Sequence, residues 1–128
     1  MPKVFTKTIQ VSPHDIDELQ HVNNVRYLQW VQDMAKAHWE LLAPQSTRER
    51  YIWVVANHFI EYKGEAKAED TLTLNTFVEA SKGVTSIRIV EIYKEEKLIT
   101  KAKTTWCLLD VHTKRPIRIP ESIDLLFQ

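Results

Sequence analysis

The chain has 128 residues, 44% of them hydrophobic, which is enough for one compact core and one domain over residues 1–128. Lys and Arg number 17 and Asp and Glu also 17, so no net field draws the chain to nucleic acid or anionic lipid, and no apolar run approaches membrane-spanning length. The default partner is a small molecule or a second copy. A single cysteine, Cys107, forms no internal disulfide and no apolar leader follows Met1, so a cytoplasmic setting is expected.

In chain order, Lys3 to Val11 is rich in β-branched residues and stops at Ser12-Pro13, which predicts a first strand. Beyond it, Leu28, Val31, Met34, Ala35, His38, Leu41 and Leu42 follow the three-and-four spacing of one buried helix face, closed by Pro44. Residues 46–50 suggest a short helical turn. Four strand-like runs follow at residues 53–63, 71–79, 84–94 and 97–111, separated by GEAKAED, ASKG and EE. Connections this short cannot make parallel crossovers, so the last strands are expected to form an antiparallel meander. A sheet of this kind needs one face covered, and only one helix is long enough to cover it. The expected class is α+β, a mostly antiparallel sheet wrapped around one long central helix.

Between the first strand and that helix lies HDIDELQHVNN, His14 to Asn24. A helix N-terminus offers unpaired N–H groups and a partial positive charge to a developing oxyanion, and a carboxylate beside it serves as general base or nucleophile. Asp, Asn and Ser also favour helix starts simply because they cap. Spacing alone favours the cap over the catalytic device.

The run DID followed by HVNNVRYLQW resembles the first-helix motif of the hotdog-fold thioesterases of the 4-hydroxybenzoyl-CoA thioesterase type, and acyl-ACP thioesterases carry a similar HVNN-x-x-Y run. AEDTLTLNTFV and LLDVHTKRPIRIPESI resemble later segments of the same family in the same order, so the likeness spans nearly the whole chain. It implies a hotdog fold, Asp17 as the catalytic carboxylate, the Asn24 backbone N–H as carbonyl polariser and Tyr27 as the matching tyrosine. Two sheets joined edge to edge in a homodimer are implied as well, with each active site between subunits; the sequence leaves pairing into a homotetramer open. Gln20 and His21 stand where many relatives have glycine. Plant-type enzymes have asparagine two residues after the acid and histidine four after it. Here Leu19 breaks the first match and His21 keeps the second.

Among the neighbours, His21 reads equally as a group that orients water or substrate and as a structural hydrogen-bonding group. Asp15 reads as structural. His58 reads as a strand residue facing core or dimer interface, with a place in the substrate pocket as the alternative, and His38 reads as a core histidine. Cys107 reads as a packed strand residue. Metal-ligand spacing is missing, so no metal or redox cofactor is expected. The expected activity is hydrolysis of an acyl-CoA or acyl-carrier-protein thioester. A dehydratase of the same fold and a non-catalytic acyl-binding module are the alternatives.

Overall fold

The computed structural model describes residues 1–128 as five strands and one dominant helix. Strand β1 is Phe5–Gln10, helix α1 Asn24–Leu42, short helix α2 Gln45–Arg50, and strands β2 to β5 are Tyr51–Tyr62, Thr71–Lys82, Thr85–Lys94 and Lys97–Asp110. A last helical turn, α3, spans Glu121–Asp124. Spatial order in the single sheet is β1-β3-β4-β5-β2, and every neighbouring pair is antiparallel.

Helix α1 forms where the sequence sets it. Asn23 caps it, its side chain accepting from the Val25 N–H, and Ala43 ends it in extended backbone because Pro44 follows. Its buried face is Tyr27, Val31, Met34, Ala35 and His38. Leu41, expected on that stripe, is exposed, while Trp39 and Leu42 of the same turn pack against the cluster of Tyr51, Leu108 and Phe127. Opposite the helix, Leu72, Leu74, Val90, Ile92, Ile99 and Ala102 supply the inward face of the sheet, so core and helix meet in one layer contact.

One boundary and two bulges differ from the sequence reading. The ASKG segment is not wholly a connection: β3 continues to Lys82 past a bulge at Glu79, and only Gly83 and Val84 make the turn, Gly83 at φ 64°. β2 likewise carries a bulge at Ala56. Neither is visible locally, since a bulge is defined by the partner strand's register.

Edges decide what else the sheet can do. β1 is short, whereas β2 leaves one side of all 12 residues unpaired and carries exposed Val54, Phe59 and Tyr62. No helix is long and apolar enough to cross a membrane.

Candidate active site

The segment between β1 and α1 is tied into a tight loop. Ser12 and Asp15 bond reciprocally across a 3-10 turn at Pro13–Asp15, and the other Asp15 oxygen pairs with Arg26 Nε at 2.8 Å. The Asn23 N–H donates to the Asp15 carbonyl. Asp15 is therefore structural, fixing where the helix begins.

Next, Ile16 and Val22 bridge antiparallel, and the Asp17 N–H donates to the His21 carbonyl at 2.8 Å. Asp17 sits at the head of this miniature hairpin. Its Oδ1 accepts from the Leu19 N–H at 2.8 Å and the His21 N–H at 3.4 Å, while Oδ2 bonds to nothing in the chain. One oxygen of the carboxylate thus shapes the turn and the other is unpaired. Gln20 closes the hairpin at φ 67°, a left-handed conformation that favours glycine. Glutamine accordingly takes a glycine-type turn at the position where the motif departs from its relatives.

Asn24 occupies the first helical position, and its N–H finds no acceptor in the chain. Seventeen to twenty-four thus forms one unit: a carboxylate oxygen on a rigid turn, then an unpaired N–H at the positive end of a 19-residue helix. The His21 imidazole contacts the Glu65 carboxylate through Nε2 rather than Asp17. Glu65 was not a sequence candidate, because only the fold brings the segment after β2 beside the loop.

Tyr27 lies in the core, stacked edge-on against Trp30 at 5.5 Å and tilted against Tyr62, with its buried hydroxyl unpaired. Burial raises the phenol's pKa. His58 bonds through Nδ1 to Thr104 Oγ1 at 2.7 Å and through Nε2 to the Gln32 amide at 3.4 Å. Burial lowers its pKa. Through these two bonds it joins the sheet to α1 and positions Gln32.

Gln32 in turn lines a groove of about 530 Å³ between α1 and strands β2, β4 and β5. Trp39, Trp53, Trp106 and Phe127 give it aromatic walls, and Arg88 lies in it. Asp17, His21, Asn24 and Tyr27 lie outside it. The loop of Asp17 and the groove are therefore separate regions, one at the head of α1 and one along its body. Period-two alternation in β4 places Arg88 on the face of Ser86, Val90 and Ile92, and that was the one available sign that this arginine points inward.

An antiparallel five-stranded sheet wrapped around one long helix is the hotdog fold. The thioesterase-like superfamily matches residues 11–126, and the chain belongs to it.

Individual relatives narrow the neighbourhood. The long-chain acyl-CoA thioesterase FadM of Escherichia coli strain K12 is 26% identical over 118 residues, covering 87% of each chain. The solved structure of SAV2348 from Staphylococcus aureus in complex with CoA superposes with a TM-score of 0.86 at 19% identity, covering 98% of this chain and 82% of that one. Slr0204, a 1,4-dihydroxy-2-naphthoyl-CoA thioesterase from Synechocystis, gives 0.82 at 18% identity, covering 97% and 95%.

Proposed function

We propose that this protein hydrolyses acyl-CoA thioesters, with Asp17 and the Asn24 N–H as its catalytic pair. The observation that carries the assignment is the pairing of a free Oδ2 on a rigid turn with a free N–H at the head of α1. The thioester carbonyl accepts from the Asn24 N–H, which stabilises the oxyanion as it forms. Either Asp17 Oδ2 takes the proton of the attacking water and the C–S bond breaks as the tetrahedral intermediate collapses, the CoA thiolate leaving to take up that proton, or Oδ2 adds to the acyl carbon and expels the thiolate, and water then cleaves the mixed anhydride to free acid and carboxylate; both routes use the same oxygen. His21, held by Glu65, orients substrate or water beside this pair. The acyl group then extends toward Gln32 and the aromatic groove, past His58. No metal or redox cofactor enters these steps, since a thioester is already activated.

The same reading includes a homodimer joined through β2. A long strand edge with exposed Val54, Phe59 and Tyr62 is the surface a second copy would cover, and joining there would bring a partner toward the groove. A cytoplasmic setting goes with it, Cys107 being unpaired. Steady-state hydrolysis across acyl-CoA thioesters of graded length, with acyl-carrier-protein thioesters alongside, tests the assignment. Turnover of the CoA series supports it. Turnover confined to carrier-protein substrates would move the substrate class, and inactivity toward both would favour an acyl-binding module.

A further inference from the structure

Arg88 is 4% exposed, yet no carboxylate of the chain lies within ion-pair distance of it. Its Nη1 donates to His38 Nδ1 at 2.9 Å and Thr76 Oγ1 at 3.1 Å, and its guanidinium lies 5.6 Å from the Phe127 ring centroid. Those are neutral partners. Its Nε and Nη2 donors have no acceptor in the protein, and a buried cation without a counter-charge is costly. In the same groove, the Trp106 Nε1–H is buried and also without an acceptor. The nearby acids do not answer this need: Asp33 and Glu40 are exposed at the groove's rim, and Asp33 is bonded to Gln29. Aromatic walls and surplus donors on the floor describe a site for an apolar body with an acceptor-rich end.

We propose that the groove selects acyl groups bearing a carboxylate at the end remote from the thioester, held by Arg88 with help from the Trp106 N–H. This deepens the hydrolase reading and rests on it. The carboxylate supplies the missing counter-charge, planar and suited to two parallel N–H donors from guanidinium, while Trp39 and Trp53 flank the intervening chain. A methyl-ended acyl group would leave those donors unpaired, which is how a polar site rejects an isostere lacking the polar group.

The test compares kcat/KM for pairs of thioesters of equal length, one ending in methyl and one in carboxylate, across a length series. The wild type should favour the carboxylate member by about tenfold or more at the best-fitting length, as expected for a charge-assisted hydrogen bond. Arg88→Met should abolish or reverse that preference, and Trp106→Phe, which removes only the N–H and some bulk, should reduce it by a few-fold. A ratio within one preparation does not depend on the fraction folded. Preference for methyl ends at every length, or an unchanged ratio in Arg88→Met, would overturn the proposal while leaving thioester hydrolysis standing. Should no thioester be turned over, tryptophan fluorescence titration with free dicarboxylic and monocarboxylic acids of equal length decides the groove by itself. Tighter binding of the dicarboxylic acid supports the proposal, and equal or weaker binding refutes it.

Discussion

The His21 imidazole is paired with Glu65, not with Asp17, although His21 and Asp17 close the same hairpin through their backbones. A histidine engaged this way is oriented by Glu65 and makes no side-chain contact with the Asp17 carboxylate. His21→Ala should therefore lower turnover by less than Asp17→Asn. Glu65→Gln should reproduce a milder version of the His21 effect, measured as kcat and KM separately. A His21 variant more damaged than the Asp17 variant, with its melting temperature unchanged, would point to a histidine-led mechanism.

Gln20 holds φ 67° without the freedom of glycine. A left-handed conformation costs a non-glycine residue roughly 1–2 kcal/mol, partly offset because glycine has more unfolded-state entropy to lose. Gln20→Gly should leave stability unchanged or raise it by up to about 1 kcal/mol in chemical denaturation. A clear loss would mean that the glutamine side chain makes a contact worth more than the strain.

His38 accepts from Arg88 and so is neutral at Nδ1. Burial first, then the charges of Arg88 and Lys3, lower its pKa from 6.5 to about 4. Between those values the unfolded chain binds more protons, so stability is complete above pH 6.5 and falls as pH drops toward 4, by about 3 kcal/mol. His58, lowered by burial, adds to the upper part of the same window. Asp70 is lowered by its Lys94 hydrogen bond and acts only below 3.8, so it lies outside the window. Denaturation midpoints at several pH values should show this slope, and His38→Gln should flatten most of it. An identical slope in the variant would reassign the proton.

Much of this architecture was written locally. Asn23, Pro44 and the apolar spacing mark α1 from end to end, and β-branched runs between polar turns mark each strand. The loop of Asp17 was legible because a polar cluster interrupts that pattern at a helix start. What local sequence did not carry was anything requiring a distant partner. The pairing of β1 with β3 and β2 with β5, the bulges at Ala56 and Glu79, and the Glu65 contact all depend on segments far apart in the chain. Arg88 was hidden for the same reason: an arginine in SIRIVEI reads as a solvated strand residue until Val90 and Ile92 are seen to face inward beside it.

Dimerisation tests the unpaired edge. β2 leaves its outer edge free along 12 residues, with Phe59 63% exposed, and a long edge carrying apolar side chains pairs readily with another chain. Sedimentation at micromolar concentration should give twice the monomer mass or more. Phe59→Lys should shift the species toward monomer and lower activity together, since the partner is expected to cover the region beside the site. A monomeric wild type that hydrolyses thioesters would remove the second copy from the active site.

Asp17→Asn separates the two uses of the carboxylate that the structure divides between its oxygens. Asparagine keeps an Oδ1 able to accept from the Leu19 and His21 N–H groups, and it is almost the same size. Stability should stay within about 1 kcal/mol of the parent. The amide that replaces Oδ2 has no basic lone pair, so if that oxygen performs the chemistry, hydrolysis should fall by about two to four orders of magnitude. Thermal melting and turnover would then part company. Unchanged turnover would show that Asp17 only shapes the turn, whereas a fall confined to KM would place it in binding and leave the base to another group.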